Sequence, residues 1–222
     1  SLLKKDSDLS VAIDGIRHDG HKYLEEVYKK GVRNFVVEKP VSLPDANILK
    51  VNSAIVAMQA IASYHRAGFD IPIIGITGSN GKTIIKEWLD KLLSPHRKIV
   101  KSPRSYNSQL GVPLSVWNIG DHHELGISTT GEMERLEKVI KPTIGIFSNL
   151  GSAHDEGFSS HEQKAQEKAK LFIDSERVIY RKDNSVLDNL FLGKGVSWGF
   201  HKESDIVINS LQNGQLALKY SE

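Results

Sequence analysis

Residues 71–83 read Ile-Pro-Ile-Ile-Gly-Ile-Thr-Gly-Ser-Asn-Gly-Lys-Thr, and this stretch decides the fold. The apolar run from Ile71 to Ile76 is typical of a buried strand, and it leads directly into a glycine-rich turn. Apolar residues then recur at helical spacing from Ile84 to Leu93. A strand, a glycine loop and a Lys-Thr pair at the start of a helix form a cradle for phosphate, because backbone N–H groups point at the anion.

The residues of this loop have separate chemical roles in such a site. The residues expected to surround the phosphates of ATP with their backbone are Gly78, Ser79, Asn80 and Gly81. Lys82 is expected to reach the terminal phosphates, and Thr83 to offer its hydroxyl to Mg²⁺. The strict pattern places a glycine at position 76, where this chain has Ile76. A tight turn whose glycines only permit positive φ is the alternative, but the flanking strand and helix favour ATP binding.

Composition excludes several classes of protein. The chain has 222 residues, of which 39% are hydrophobic and 25% charged, as in ordinary globular proteins. The net charge is only +2 and the basic residues are scattered, which does not indicate a nucleic-acid-binding surface. No apolar run approaches membrane-spanning length. The absence of cysteine excludes disulfides and thiolate metal sites. With no signal peptide, the sequence predicts a cytoplasmic protein that binds neither nucleic acid nor membrane.

The order of elements predicts two units and an α/β fold. For the first unit the predicted strands are 10–13, 33–37 and 48–51, and the predicted helices are 21–30 and 53–66. For the second unit the predicted strands are 71–76, 97–101, 143–148 and 177–181, and the helices 83–93, 131–140 and 160–173. This alternation favours a doubly wound, mostly parallel sheet. Residues 203–222 are predicted to form a β-hairpin with a turn at Asn213-Gly214.

Two polar segments follow predicted elements between residues 105 and 126. Open α/β sheets bind ligands beyond the carboxyl ends of their strands, so such segments are candidates for chemistry. Asn107 lies in a segment that can equally be a plain loop punctuated by glycine and proline. Glu124 is a natural Mg²⁺ ligand, because Mg²⁺ prefers hard oxygen donors. The neighbouring His122 and His123 fit solvated loop histidines better than a transition-metal site.

Two further segments lie between residues 144 and 172. A predicted buried strand ends near Asn149, and His154 follows five residues later. A structural role and a ligand role are both open for this histidine. The next predicted helix carries Lys164, Lys168 and Lys170, and a solvated charged face is the ordinary interpretation of such a run.

Taken in order, these motifs resemble the Mur ligase family, the ATP-dependent amide ligases of peptidoglycan synthesis. The motifs that carry the resemblance are Thr77–Thr83, Asn107 with Gly111-Val-Pro113, Glu124-Leu-Gly126, Asn149 with Ala153-His154, and Lys168–Phe172. That family has the same Thr-Gly-x-Asn-Gly-Lys-Thr loop, which accounts for the departure at position 76. Lys86-Glu87, Gly131-Glu-Met133 and His154–Phe158 are most similar to the MurF type, which joins D-Ala-D-Ala to UDP-MurNAc-tripeptide.

The resemblance implies a mechanism and a set of site residues. ATP phosphorylates the terminal carboxylate of UDP-MurNAc-tripeptide, and the amine of D-Ala-D-Ala then attacks the acyl phosphate. By position, Thr83 and Glu124 bind one Mg²⁺, while His154 and a carbamylated Lys168 bind a second. The residues that the resemblance assigns to catalysis are Lys82, His154 and Lys168, and Asn107 is assigned to the nucleotide cleft.

The resemblance also predicts the domain organisation. Residues 1–70 are expected to bind the UDP-muramoyl peptide, and residues 71–222 to form an incomplete central ATP-binding domain. The C-terminal ligase domain and the natural N-terminus are expected to be missing, so the chain alone is expected to be inactive. Residues are also expected to be missing near 7–9 and 121–128, where the family has a longer stretch and an apolar strand that ends in the metal-binding Glu. Residues 15–23 resemble Bacteroidetes-like proteins, in which a fused alanine racemase is a candidate covalent partner.

Three alternatives stay open beside this interpretation. Two are relatives that add a different amino acid, the MurE type and a folylpolyglutamate synthase, of which the folate enzyme lacks such a first unit. A nucleotide-binding module without ligase activity is the alternative from another class, and true loss of the strand before Glu124 would favour it.

Overall fold

The computed structural model describes residues 8–15, 18–102, 109–120, 123, 125–129, 133–151, 158–210 and 216–220. The chain divides into two compact units, Ser1–Ile61 and Ala62–Glu222. This division falls within helix α2 (Ala54–Ala67), whereas the sequence predicts a boundary at residue 70. Within the described ranges, no helix is both long enough and apolar enough to cross a membrane.

The first unit is built on a parallel sheet of three short strands. Its elements are β1 (Leu9–Val11), a 3-10 turn (Gly20–Tyr23), α1 (Leu24–Lys29), β2 (Asn34–Val37) and β3 (Asn47–Lys50), with sheet order β1-β2-β3. The core forms where Phe35 and Val37 of β2 pack with Leu24 of α1. The predicted helix from His21 is a 3-10 turn up to Tyr23, because the Asp19 carboxylate accepts a hydrogen bond from the His21 N–H and caps a tighter first turn.

The second unit is built on one large sheet. Its strands are β4 (Ile73–Thr77), β5 (Ile99–Lys101), β6 (Leu125–Thr129), β7 (Ile144–Phe147), β8 (Arg177–Arg181), β9 (Gly195–Gly199), β10 (Ile206–Ser210) and β11 (Leu216–Tyr220). They lie in the order β11-β10-β9-β8-β7-β4-β6-β5, and every neighbouring pair is parallel except β10 with β11. The predicted mostly parallel sheet and the predicted hairpin are both confirmed. The Asn213-Gly214 turn itself lies outside the described residues.

Helices cover both faces of this sheet. They are α3 (Lys82–Leu93), α4 (Gly111–Val116), α5 (Met133–Ile140), α6 (His161–Ala169) with a following 3-10 turn (Lys170–Phe172), and α7 (Ser185–Phe191). Successive side chains of β4 point to opposite faces. Ile74 and Ile76 therefore pack on the face where Leu89 of α3 lies. Ile73 joins a second cluster on the other face, which includes Leu136 of α5. The fold is thus doubly wound, as predicted.

Four elements of the second unit are absent from the sequence prediction, and α4 and β6 show why. Residues 111–116 read as a loop, yet they form α4, where Pro113 occupies the first turn and no N–H partner is needed. No strand is predicted in the stretch 120–128, but its last residues belong to β6, which lies between β4 and β5 in the sheet. Backbone hydrogen bonds along both edges of β6 form this strand without an apolar run. The other two elements, α7 and β9, are short.

Candidate nucleotide-binding site

The glycine loop connects the carboxyl end of β4 to the start of α3. Gly78 has φ of 135° and Gly81 has φ of 84°, a region that glycine reaches without strain. A Cβ atom on Gly78 would lie 2.9 Å from the Asn149 carbonyl oxygen and in steric overlap with Ser148 Oγ. The loop therefore packs directly against the segment that follows β7, and only glycine permits that approach at position 78.

Residues 148–151, which follow β7, hold the loop in place through hydrogen bonds to Ser79 and Asn80. The N–H of Ser79 donates to the Asn149 carbonyl at 2.9 Å, and the N–H of Asn80 donates to Asn149 Oδ1 at 2.8 Å. Ser148 Oγ donates to the Asn80 carbonyl at 2.6 Å. Ser79 Oγ donates to the Gly151 carbonyl and accepts from the Gly151 N–H, both at 3.0 Å. Five hydrogen bonds thus fix the path of two loop residues.

The start of α3 suits an anion. Gly81 is its N-cap and makes no side-chain cap, so the first-turn N–H groups and the helix dipole are available to a phosphate. Lys82 Nζ donates to the Gly78 carbonyl at 2.7 Å, which places the ammonium over the loop. Thr83 is exposed in the same turn, and its hydroxyl is the type of oxygen donor that Mg²⁺ accepts. The residues therefore fit a nucleotide phosphate chain.

Three lysines concentrate positive charge around the loop. Burial lowers the pKa of Lys82, and the charge of Lys164 lowers it further. Burial likewise lowers the pKa of Lys168, followed by the charges of Lys82 and Lys164. Ammonium groups that disfavour one another in this way favour an anion between or beside them. The positive charges of Lys164 and Lys168 on α6 thus add to that of Lys82 at the phosphate loop.

The prediction of a solvated lysine face on α6 is wrong for Lys164. This side chain is 0% exposed, whereas Lys170 is exposed and pairs with Glu167 at 2.7 Å. Lys164 precedes Lys168 by four residues, so the two lie on the same helix face. That spacing is the signal by which sequence reasoning could have found Lys164.

A second buried lysine is Lys86 of α3, which the sequence analysis names as part of a motif without predicting its burial. It is 1% exposed, and its Nζ donates to the Ser102 carbonyl at 2.9 Å, just after β5. Its place one turn after Thr83, on the face that packs on the sheet, is a polar interruption in the helical pattern. This contact connects α3, the helix that follows the phosphate loop, to the residue that follows β5.

The structure brings together only some of the predicted site residues. Gly78–Thr83 form one loop, and Lys168 is coupled to it by charge. Asn107, Glu124 and His154 lie outside the described residues, so their roles stay predictions. The strand after Glu124, β6, pairs Gly126 with Ile73, at the end of β4 away from the loop. Where the chain is described, no group of three or more His, Asp or Glu side chains could hold a metal ion.

These features define a class of protein. A glycine loop between a parallel strand and a helix, at the carboxyl edge of a doubly wound sheet, is the mark of a P-loop nucleotide-binding domain. Residues 76–216 match the family model described as the Mur ligase middle domain. The chain belongs to the Mur ligase family, as the sequence motifs predict.

Named relatives agree with this assignment. UDP-N-acetylmuramoyl-tripeptide--D-alanyl-D-alanine ligase of Rickettsia prowazekii is 32% identical over 235 residues, covering 97% of this chain and 52% of the relative. The ligase of the same name from Bacillus subtilis is 25% identical and covers 93% of this chain and 48% of the relative. The chain thus spans about half the length of the curated relatives that it matches.

One similar solved structure contains a bound nucleotide. The MurF ligase from Thermotoga maritima, in complex with ADP, has a TM-score of 0.83 at 26% identity. That match covers 92% of this chain and 50% of the other. MurF from Acinetobacter baumannii, at 20% identity and a TM-score of 0.83 over 94% of this chain and 48% of its own, shares the fold.

Proposed function

We propose that this protein is an ATP-dependent ligase of peptidoglycan precursor synthesis, which joins D-Ala-D-Ala to UDP-MurNAc-tripeptide through an acyl phosphate. The observation that carries the proposal is the phosphate loop Gly78–Thr83, held by residues 148–151 in a chain of the Mur ligase family. The activity for which the relatives are named and the ADP in the Thermotoga maritima structure support these substrates. A cytoplasmic location, where ATP is available, belongs to the same proposal.

The described residues act on ATP mainly by positioning and charge. The loop N–H groups and Lys82 hold the β- and γ-phosphates, while the tripeptide carboxylate attacks the γ-phosphorus and ADP leaves. The amine of D-Ala-D-Ala then attacks the acyl carbon, and inorganic phosphate leaves as the amide bond forms. Because Lys82 and the α3 N-terminus are fixed beforehand, they stabilise the developing charge without reorganising.

Mg²⁺, when bound, neutralises the phosphate oxygens and orients them. The proposed ligands are Thr83 and Glu124 for one ion, and His154 and Lys168 for a second. Lys168 serves as a ligand after its neutral amine adds CO₂ and releases a proton, which leaves a carbamate oxygen. Burial and two neighbouring ammonium groups lower the pKa of Lys168, which favours that neutral amine. Asn107 is proposed to line the nucleotide cleft. The resemblance of residues 15–23 to Bacteroidetes-like proteins supports a fused racemase.

Phosphate release tests the proposal directly. The full-length gene product receives Mg-ATP and UDP-MurNAc-tripeptide, with and without D-Ala-D-Ala, and Lys82→Ala in the same protein is the matched control. We expect release that requires the dipeptide and is lost in the variant. Release driven by a single amino acid with UDP-MurNAc-dipeptide would instead show the MurE-type reaction. ADP binding without any release would favour a non-catalytic nucleotide-binding module.

A further inference from the structure

Lys164 is a buried lysine to which the proposed reaction gives no role. It lies in α6 with its side chain 0% exposed. Its Nζ donates to the Gly151 carbonyl at 2.6 Å. Burying an ammonium costs free energy that hydrogen bonds must offset, and a charged donor makes the stronger kind of hydrogen bond. The contact is therefore a firm restraint on Gly151.

Gly151 transmits this restraint to the phosphate loop. Its carbonyl accepts from Ser79 Oγ, and its N–H donates back to the same oxygen, both at 3.0 Å. Ser79 is itself 3% exposed, so water competes little for these bonds. A continuous path of hydrogen bonds thus runs from α6 through Gly151 to Ser79, which precedes Lys82 by three residues.

A second observation points to the same place. The ammonium of Lys164 is close enough to Lys82 and to Lys168 to act on both through its charge. Lys164 therefore contributes to the site both a hydrogen bond and a positive charge, although the phosphate loop and α6 are more than 70 residues apart in sequence.

We infer that Lys164 is a positioning residue for the phosphate loop: by holding Gly151 it fixes Ser79 in the arrangement that receives the nucleotide phosphates. The inference rests on the proposed function in requiring that the loop bind a nucleotide. Helix α6 would then have two separate roles, since Lys168 is proposed to hold a metal ion and Lys164 maintains the loop.

The test compares Lys164→Met with Lys170→Met in the full chain. Methionine is unbranched like lysine and only one atom shorter, and it removes the charge. Lys170 is an exposed lysine at the C-cap of the same helix. Calorimetric titration measures the affinities for ADP and for AMP, which lacks the β-phosphate that the loop holds. Lys164→Met should lower ADP affinity about tenfold, the effect of losing one charged hydrogen bond, and leave AMP affinity within about twofold. Lys170→Met should change neither affinity.

The variant Ser79→Ala shows whether Lys164 acts through Gly151. If it does, the double variant binds ADP no more weakly than the weaker single variant, because both changes break one path. Losses that multiply, or wild-type ADP affinity in Lys164→Met, would overturn the inference. If Lys164→Met does not fold, Ser79→Ala decides alone: a selective loss of ADP affinity supports the path, and unchanged affinity refutes it. Failure of the unsubstituted protein to bind ADP would refute the proposed function itself.

Discussion

Replacing Gly78 by Ala introduces both backbone strain and steric contact at the phosphate loop. A residue with a Cβ at φ of 135° is strained, which costs about 1–3 kcal/mol. The new Cβ would also meet the Asn149 carbonyl oxygen at 2.9 Å and overlap Ser148 Oγ. Moving that segment weakens its hydrogen bonds to the loop, at about 1 kcal/mol for each bond. We therefore expect a loss of about 3–5 kcal/mol in the free energy of unfolding, out of a total of about 5–15 kcal/mol.

Gly193→Ala is the matched control for this prediction. Gly193 has φ of 75°, but a Cβ there would have nothing within 4 Å, so only the strain remains. We expect a loss of about 1–2 kcal/mol for the control. Urea unfolding measures both losses, and titration with ADP measures binding, which only Gly78→Ala should weaken.

The reasoning is refuted if the two alanine variants lose equal stability. Equal losses would mean that strain alone matters and that the approach of residues 148–149 to the loop has no energetic weight. Unchanged ADP affinity in Gly78→Ala would contradict the second half of the prediction, because the displaced loop could then still hold the phosphates.

Three further predictions concern charge. Lys82→Ala should lower ADP affinity about 10- to 100-fold, because a charged donor to phosphate is lost. Burial and then Asp174 raise the pKa of Glu137, so its ionisation costs stability as the pH rises above 4.5. Glu137→Gln should therefore stabilise the chain by about 1–3 kcal/mol at pH 8 and have little effect at pH 4. A hydrogen bond from Lys39 holds the pKa of Asp19 well below its usual 3.8, so Asp19→Asn should destabilise the first unit at neutral pH, and the loss should shrink below pH 3.8.

Each of these predictions has a clear contrary result. Wild-type ADP affinity in Lys82→Ala would remove that lysine from the phosphate site. For Glu137→Gln the contrary result is a stability difference that does not depend on pH, measured by urea unfolding at pH 4, 6 and 8. For Asp19→Asn it is an equal loss at pH 3 and pH 7, which would show that the contacts of the side chain matter and its charge does not.

The phosphate loop was predictable because its information is local. Glycines, Lys82-Thr83 and the flanking apolar patterns lie within about two dozen residues of one another, and each pattern has a direct conformational meaning. The alternation of strands and helices likewise predicted the doubly wound sheet. These features depend on short-range properties of the chain, which a single sequence displays.

The support of the loop was not predictable, because it depends on distant residues. Lys164 reads as an ordinary surface lysine until α6 is placed against residues 148–151, when it becomes fully buried. The strand β6 is short, contains a glycine and follows a polar stretch, and the hydrogen bonds of two neighbouring strands hold it in the sheet. In both cases tertiary context overrides local preference.

The strand order affects how the second unit can fold while the ribosome synthesises the chain. Strands β8 to β11 each pair with the strand made just before, so that half of the sheet can grow outward during translation. β4 instead waits for partners on both sides, since Ile74 pairs with Ile127 and Ile144. At about 5–20 residues per second, roughly 3–10 s separate the synthesis of β4 from that of β6. The apolar β4 therefore spends seconds with two open edges, when a chaperone could protect it from pairing with other chains.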